Sequence, residues 1–556
     1  WRNPTEQGER TVSGEIFYLP NNAPPEFMGV LARALIKAPG HRLALLPAGE
    51  AWIDSEKSVA GLTQYRIAGL DYMPTSVWLD RAGETAAYLT GWLSVLPAGR
   101  TPELSSLSNS QTAEDESQSS RLAQQQTHVP GADLIIRNAR LFDPRDLTVT
   151  AGMSVWIRGA RIVRVAPDAE LPVPAGAQAI DAADRFLMPG LWDNHQHFSP
   201  MLGTLDLANG VTSTRDMAND TDEFLKRVER FDRGTELGPR VFKAGIIDGR
   251  GPLAAPTKML VDTAAQAIAD VDWYAEHGYG QIKIYSSMSP PLVPLIADEA
   301  HAHGLRVSGH VPAFMSAQQF VEGGADEIQH LNFVILNFIF DTVKDTRGMT
   351  RFTAVAEHAR EFGPENPRVQ GFIEFLKRHH TVLDPTMNVF EGMFSGDPTA
   401  VTPGLESVAP RLPAQVRRRM LADALPIPPG QEAAYRAAFP AMLRLLKALY
   451  DAGVTIIPGT DSDSGYMLIH ELELYSRAGI PPPEVLRMAT LTSAHVIGVD
   501  YERGVIAPGK LADMILVDGD PARDIADLRK VTMVIKGGHW YDPVAIERAL
   551  GIAPRR

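Results

Sequence analysis

Short apolar runs alternate with longer, more polar segments through the central part of the chain. Eight of these runs have the length and composition of buried strands: FLMPGLWDNHQ, VTSTRDM, RVFKAGIID, QIKIYSS, RVSGHV, DEIQHLNF, TVLDPTM and VTIIPGTDSD. The segments between them, such as DEFLKRVERF and LVPLIADEAHAHG, are predicted to be helices, and several end at a glycine. Eight strand–helix units predict an α/β fold built on a (β/α)8 TIM barrel.

Strand-like sequence brackets this central region on both sides. ADLIIRNARLFDP and MSVWIRGARIVRVAPD precede it, and GVIAPGKLADMILVDG and VTMVIKGGHWYDP follow it. The simplest arrangement is one small β-sandwich formed by both flanks. We therefore predict a composite sandwich from residues 131–186 and 500–556 around a barrel of residues 187–499.

The first 130 residues have a different pattern. Residues 1–100 alternate β-branched and aromatic residues with turn signals, which predicts a separate, small, β-rich N-terminal domain. Residues 101–130 are rich in Ser, Gln, Thr and acidic residues and nearly free of large apolar groups. Such a segment buries too little surface to offset the entropy of ordering, so we expect a linker there.

Composition narrows the classes of partner. The chain has 556 residues and a net charge of −14 without a basic block, so neither nucleic acid nor an anionic membrane surface is an expected partner. The longest apolar run, residues 333–340, is too short to span a bilayer and is expected in the core. The chain begins at Trp1 rather than Met, which either a cleaved signal peptide or trimming of the sequence would explain. A cleaved signal peptide would place the protein in the periplasm or outside the cell, and we slightly favour this over a cytoplasmic location.

Cysteine is absent, and this restricts the chemistry. There is no disulfide, no thiolate nucleophile and no Cys-type zinc site. Any bound metal must be held by His, Asp, Glu or a modified Lys.

Polar residues occur at the ends of the predicted strands, where barrel enzymes place their active sites. Strand one ends with two histidines that share one face, because side chains at i and i+2 lie on the same side of a strand. The spacing of the candidates on strands four, five and six fits one βα step each. The candidates are His195 and His197 on strand one, Lys283 on strand four, His310 on strand five, His330 on strand six and Asp461 on strand eight.

Four histidines and an aspartate suit zinc or a similar divalent ion. Lys283 differs, because an ammonium group cannot bind a cation. Reaction with CO₂ would convert it to a carbamate, an anionic ligand able to bridge two ions. Residues 391–435, after strand seven, have the composition of a long insertion and form a candidate lid.

The motifs DNHQH, IKIY, GHVP, IQHL and GTDSD together resemble those of the amidohydrolase superfamily. The resemblance is greatest to the branch that is related to imidazolonepropionase and contains metal-dependent Xaa-Pro and other dipeptidases. GVIAPGKLADMILVDGDP and VIKGG also resemble the C-terminal β portion of these proteins. The resemblance covers about residues 132–545 and not the first 100. It is specific for the superfamily and poorly specific for substrate.

The resemblance implies a centre with two divalent ions, for which zinc is the expected metal. It assigns the more buried ion to His195, His197 and Asp461, the second ion to His310 and His330, and the bridge to carbamylated Lys283. A hydroxide between the ions would attack the scissile carbonyl. Asp461 would accept its proton and deliver it to the leaving amine.

Three further positions bear on substrate binding. Dipeptidases of this branch often have a polar or aromatic residue directly after the strand-five histidine, but this chain has Val311. Tyr285, two residues beyond Lys283, is therefore a candidate substrate contact. Arg215 at the end of strand two could bind a substrate carboxylate, although a structural ion pair is the alternative. Asp463 lies on the same face as Asp461 and could shape the site.

The sequence thus predicts a two-metal hydrolase that cleaves an amide in a small molecule, such as a dipeptide or an N-acyl amino acid. An esterase, lactonase or phosphotriesterase could use the same metal pair. A one-metal deaminase or cyclic-amide hydrolase commonly has a Glu just after the strand-five histidine, and GHVPAFMS contains no acid. A metal-bearing binding or assembly protein is a third alternative, against which the complete ligand set argues. Homo-oligomerisation stays open.

Overall fold

The structure is a computed structural model that describes residues 1–2, 6–21, 23–90, 94–199, 201–421, 424–462 and 465–555. Its N-terminal part is a seven-stranded sheet with the strands in chain order. The helix of this part buries Leu31, Ala32 and Leu35 against one face of the sheet. The elements are β1 (Ile16–Tyr18), α1 (Phe27–Lys37), β2 (Arg42–Leu46), β3 (Glu50–Val59), β4 (Leu62–Ala68), β5 (Thr75–Leu79), β6 (Thr85–Leu89) and β7 (Ser94–Val95). That this sheet forms a separate domain remains a prediction.

The segment expected to be a linker is instead a long helix, α2 (Leu104–Gln126). Its few apolar residues are concentrated where they can be buried, and Leu107 and Ala123 are fully buried. Its acidic residues pair with both neighbouring regions: Asp115 lies 2.5 Å from Arg66 of the N-terminal sheet, and Glu116 lies 2.8 Å from Arg230. The expectation of an unstructured linker was wrong because tertiary contacts compensate for the polar composition of this helix.

The central region is a curled sheet of parallel strands in chain order, and all eight predicted strands are present. The backbone N–H of Asn194 donates to Pro458 O (2.9 Å) and that of Asp461 to His195 O (2.8 Å), which joins the first strand to the end of the eighth. The mixed α/β fold is consistent with the predicted (β/α)8 barrel. The eight strands are β13 (Leu191–Gln196), β14 (Val211–Asp216), β15 (Arg240–Gly249), β17 (Gln281–Ile284), β18 (Arg306–Gly309), β19 (Glu327–Gln329), β20 (Val382–Asp384) and β21 (Thr455–Ile456), with a short β16 (Leu260–Val261) beside β15.

Helices follow the strands, and several begin and end with strong capping signals. Thr263 and Gln266 form a capping box at the start of α5, Asp220 caps α4, and Gly234 ends α4 in the left-handed conformation. The helices of this region are α3 (Leu202–Ala208), α4 (Thr221–Arg233), α5 (Ala264–Glu276), α6 (Val293–Ala302), α7 (Ala317–Glu322), α8 (Asn332–Leu336), α9 (Thr350–His358), α10 (Pro367–Arg378), α11 (Met387–Ser395), α12 (Ala414–Arg419), α13 (Glu432–Asp451), α14 (Gly465–Arg477), α15 (Pro482–Arg487) and α16 (Ser493–Ile497). No helix in the described part of the chain has the length and apolar character needed to cross a membrane.

Strands from both flanks of this region form one hydrogen-bonded sheet. The predicted composite sandwich stays a prediction. Its members are β8 (Leu134–Asp143), β9 (Thr148–Arg158), β10 (Arg161–Pro167), β11 (Gln178–Asp181), β12 (Phe186–Pro189), β22 (Met514–Val517), β23 (Val531–Lys536) and β24 (His539–Tyr541); helix α17 (Pro543–Ala549) follows. Their order in the sheet is β10-β9-β8-β12-β22-β23-β24, with β11 beside β8. The two flanks are joined where β12 pairs antiparallel with β22. The boundaries at residues 130, 186 and 499 stay predictions.

The insertion after strand seven is not a free loop. It contains α12, and this helix contacts the N-terminal sheet: Gln415 Nε2 donates to Ala48 O (2.6 Å), and Arg418 Nε donates to Glu6 (3.0 Å). Gly404, at φ +89°, lies so close to His470 of α14 that a Cβ atom would stand 2.2 Å from the imidazole. The insertion therefore packs against both the N-terminal part and α14. That it acts as a lid remains a prediction.

Candidate metal centre

The six predicted ligands converge at the carboxyl ends of the barrel strands. The carboxylate of Asp461 lies 3.3 Å from His197 Nε2 and 3.8 Å from His195 Nε2, and the ligand atoms of these three residues all lie within 4.8 Å of one another. Lys283 Nζ lies 3.1 Å from His195 Nε2. One half of the centre is thus two imidazoles, a carboxylate and an amine around a small space.

The other two histidines form the second half. His310 and His330 have their Nε2 atoms 2.9 Å apart, and His330 Nε2 lies 3.9 Å from the second carboxylate oxygen of Asp461. Asp461 therefore faces both halves. Separations of this size suit atoms that share an ion at nitrogen or oxygen bond lengths of about 2.0–2.2 Å.

Each of the four imidazoles is oriented by a contact at its other ring nitrogen. Such contacts at Nδ1 fix the ring so that Nε2 points to the centre, as in metal sites. The pairs are His195 with Asp384 Oδ2 (2.7 Å), His197 with Ala218 O (2.9 Å), His310 with Ser286 Oγ (2.9 Å) and His330 with Thr386 Oγ1 (2.7 Å). These contacts fit the residues to a metal centre better than to a solvent-exposed histidine cluster.

Burial sets the charge of the ligands. It lowers the pKa of His195 and His310 well below the ordinary value, and lowers the pKa of His330 to about 3. The imidazoles of these three residues are therefore neutral near pH 7, which is the form that binds metal. Burial also lowers the pKa of Lys283 to about 8. About one tenth of its amine is therefore uncharged at pH 7 and able to react with CO₂, far more than for an ordinary lysine.

The backbone at the centre adopts unusual conformations. His330, Thr386 and Asp461 all have positive φ angles, of +63°, +46° and +50°. Residues other than glycine rarely adopt such angles, and when they do the strain is concentrated at functional sites. Close approach of strands one and eight requires Gly459, because a Cβ there would lie 2.6 Å from His195 Cβ.

Arg215 does not face the site, so the prediction that it could bind a substrate carboxylate was wrong. Its side chain is fully buried, and its guanidinium pairs with both oxygens of Glu327 at 2.6 and 2.8 Å. Its Nε donates to Asn194 O at 2.7 Å. The guanidinium also lies 3.6 Å from Asp384, and Arg215 is not among the residues that line the cavity. The structural ion pair was the correct alternative.

A cavity of about 300 Å³ opens onto the centre. Ala218, Ile246, Ala255 and Pro256 give it an apolar wall, and Tyr285 also lines it. The remaining lining residues described are His197, Lys283, His310, Asp461 and Ser462. Asp463, predicted to shape the site, lies outside the described residues.

Sequence reasoning missed the residues that orient the ligands. Asp384 is the most important of these, and the only signal for it was an acid at the end of the seventh strand in TVLDPTM. Ser286 and Thr386 gave no signal at all, since isolated hydroxyl residues after strands are common.

Comparison with known proteins agrees with the motif set. The profile of the Amidohydrolase family matches residues 383–541. An adenine deaminase of Mesorhizobium japonicum is 24% identical over 427 residues, which cover 73% of this chain and 57% of that protein. An imidazolonepropionase of Geobacillus kaustophilus is 25% identical over 422 residues, covering 71% of this chain and 91% of that protein. The chain thus spans little more than half of that adenine deaminase.

Solved structures support the same fold. A putative prolidase from Bifidobacterium longum is 24% identical with a TM-score of 0.56, covering 75% of this chain and 98% of that chain. A bottromycin amidohydrolase is 20% identical with a TM-score of 0.57, covering 78% of this chain and 93% of that one. The motifs and these sequence relatives are thus similar to the amidohydrolase family, whose profile matches the C-terminal part of the barrel region and the strands after it. Imidazolonepropionases are among the proteins to which the chain is similar.

Proposed function

We propose that the protein is a metal-dependent hydrolase that cleaves an amide bond in a small molecule, such as a dipeptide or an N-acyl amino acid. The observation that carries the proposal is the convergence of four oriented imidazoles on Asp461 and Lys283 beside a cavity of about 300 Å³. The proposed centre holds two divalent ions, and zinc suits its nitrogen and oxygen ligands.

The ligands divide between the two ions according to the two halves of the centre. His195, His197 and Asp461 would hold one ion, and His310 and His330 the other. Lys283, as a carbamate, would bridge them, and its lowered pKa of about 8 favours the free amine that this modification requires. When bound, the ions would polarise the scissile carbonyl and activate a water molecule for attack.

Asp461 is the proposed proton carrier. Burial alone would raise its pKa, but the hydrogen bond with His197 and the neighbouring His330 and unmodified Lys283 side chains hold the pKa below its usual value. The side chain is therefore an ionised carboxylate that can orient the attacking water and accept its proton. Delivery of this proton to the leaving nitrogen completes the cleavage, because an amide anion is too basic to depart unprotonated.

Tyr285 is the proposed substrate contact. It lines the cavity, and its ring lies 4.0 Å from the ring of His310, centroid to centroid. Its hydroxyl could bind a polar group of the substrate that Val311 cannot. Tyr285→Phe should raise KM or lower kcat; unchanged turnover with unchanged affinity would remove this role.

A deaminase is the second candidate, because an adenine deaminase is among the sequence relatives. A proton shuttle directly after His310 would be expected in a one-metal site of this kind. Residues 311–316, VPAFMS, contain no acid. The composition of this segment therefore favours the two-metal hydrolase.

The test is turnover by protein loaded with zinc or manganese in bicarbonate buffer. Xaa-Pro and Xaa-Arg dipeptides, N-acyl amino acids, their esters and adenine form the panel. Asp461→Asn should abolish cleavage of the best substrate, whereas Asp451→Asn, on the surface of α13, should not. Preference for an ester would establish the esterase alternative, and release of ammonia from adenine by the loaded protein would contradict the amide proposal.

A further inference from the structure

The segment of residues 384–388, from the end of β20 to the first turn of α11, supplies the contacts that orient two ligands. Asp384 Oδ2 lies 2.7 Å from Nδ1 of His195, and Thr386 Oγ1 lies 2.7 Å from Nδ1 of His330. These two histidines belong to different halves of the centre. Thr386 has a φ of +46°, a conformation that persists only where the surrounding structure enforces it. The position of this segment therefore matters to both proposed ions.

Asn388, at the far end of the segment, contacts the loop that carries Asp461. Its Nδ2 donates to Thr460 O at 2.9 Å, and its Oδ1 accepts a hydrogen bond from Ser462 Oγ at 2.8 Å. Thr460 and Ser462 flank Asp461 along the chain, and Ser462 lines the cavity. Asn388 is itself buried. The same short segment thus holds a third ligand, the one that faces both halves of the centre.

Glu471 of α14 anchors the far end of this segment. Its Oε1 accepts the backbone N–H of Met387 at 2.8 Å. Its Oε2 accepts the backbone N–H of Asn388 at 2.7 Å and Asn388 Nδ2 at 3.0 Å. The first N–H groups of a helix have no partner within the helix, and a carboxylate is favourable beside them. Both carboxylate oxygens are therefore committed to the start of α11.

This carboxylate is buried without a cationic partner. Glu471 is fully buried, and burial raises its pKa to about 7 although the three hydrogen bonds oppose the rise. Among the described residues, no Lys, Arg or His nitrogen lies within 4.0 Å of its carboxylate, and the adjacent His470 pairs with Glu391 and Glu473 instead. A polar residue at the N-cap could satisfy the start of α11 without the cost of burying an acid. The acid on another helix therefore does more than cap α11: it holds the segment against α14.

We propose that Glu471 is a positioning residue for the metal centre. By holding the start of α11, it fixes Asp384, Thr386 and Asn388 against their partners. It thus acts on both halves of the centre without contacting a ligand or an ion. This inference rests on the proposed function, because it concerns the two ions proposed there.

The test compares metal binding by the wild type and Glu471→Gln. Glutamine keeps the length of the side chain, but its NH2 group replaces one acceptor and would face an N–H group of α11. Each full-length protein is freed of metal and titrated with zinc against a chelator. A second titration uses Co²⁺, whose visible absorption depends on the number and geometry of its ligands. A role in stability alone would lower the melting temperature and leave both titrations of the folded protein unchanged.

Two further variants make the comparison specific. Asn388→Ala keeps the backbone N–H that Glu471 accepts but loses the contacts with the loop of Asp461, so it tests the same path if Glu471→Gln does not fold. Asp542→Asn is the matched control, because Asp542 accepts two backbone N–H groups, at 2.8 and 3.3 Å, at the start of α17. A melting curve for each metal-free variant shows whether it is folded at the assay temperature.

Glu471→Gln should weaken binding of both zinc ions roughly 10-fold, the lower end of the effect of disturbing the groups that orient metal ligands. It should also change the Co²⁺ spectrum. Asn388→Ala should weaken both ions as well, because the carboxylate of Asp461 faces both halves of the centre. Asp542→Asn should match the wild type in both titrations.

Wild-type affinities and an unchanged Co²⁺ spectrum in folded Glu471→Gln would overturn the inference. A loss confined to one ion would also overturn it, and so would an equal loss in Asp542→Asn. Failure of the proposed function looks different: the loaded wild type would hydrolyse no amide, while its zinc affinities would still decide the role of Glu471. A wild type that binds no zinc would overturn both.

Discussion

The contact between His195 and Asp384 gives the sharpest prediction. Both side chains are fully buried, and His195 Nδ1 lies 2.7 Å from Asp384 Oδ2. Asp384 also lies 3.6 Å from the guanidinium of Arg215, whose charge opposes the rise in the pKa of Asp384 that burial causes. Asp384→Asn keeps the size of the side chain and one acceptor oxygen but removes the ionisable oxygen that orients His195.

The expected cost is a loss in metal affinity at one half of the centre. Removing a partner that orients a metal-binding histidine typically weakens binding about 10- to 100-fold, which corresponds to about 1.4–2.7 kcal/mol. The half formed by His310 and His330 should be less affected, because Ser286 and Thr386 orient these rings. Titration with zinc against a chelator should therefore show one weakened ion and one nearly unchanged ion.

A matched control is available on the surface. Asp500 lies 3.0 Å from His495, and both side chains are accessible to solvent. Asp500→Asn makes the same chemical change at another His–Asp pair and should leave both affinities unchanged. If folded Asp384→Asn bound both ions as tightly as the wild type, Asp384 would have no part in orienting His195.

Two further predictions concern stability. Arg418→Ala removes the buried partner of Glu6 between α12 and the N-terminal segment, and should lower the free energy of unfolding by about 3 kcal/mol. The control Arg417→Ala, at an exposed neighbouring position, should change the free energy of unfolding by less than about 0.5 kcal/mol. Equal melting temperatures of the two variants would contradict this prediction. Glu391 and Glu473 raise the pKa of His470 to about 9 from 6.5, although burial opposes the shift. Because the folded-state pKa is the higher one, this stabilisation of up to about 3 kcal/mol is complete below about pH 6.5 and is lost as pH rises through 9. Chemical unfolding of wild type and His470→Gln across pH 6–10 should show this decline only in the wild type, and parallel curves would count against it.

The ligand set could be predicted from the sequence because each ligand directly follows or ends a short apolar run. Parallel strands bring their carboxyl ends to one edge, so the strand order alone places His195, Lys283 and Asp461 together. Apolar runs separated by helices that end at glycine likewise predicted all eight strands. Strands that are buried on both faces have continuous hydrophobic sequence, which makes them recognisable.

The remaining features depend on contacts that no local pattern encodes. Asp384 lies 189 residues from His195, and Glu327 lies 112 residues from Arg215. The polar sequence of residues 101–130 gave no indication that two neighbouring regions would pair with its charges.

Metal content is the most direct test of the two-ion centre. Wild-type protein, saturated with zinc in bicarbonate buffer and then freed of excess metal, should contain about two ions per chain, and Lys283→Ala should contain fewer. Addition of a short carboxylic acid to this variant should restore part of the metal and activity by replacing the bridging anion. A single ion per chain in the wild type, unchanged in Lys283→Ala, would contradict the account.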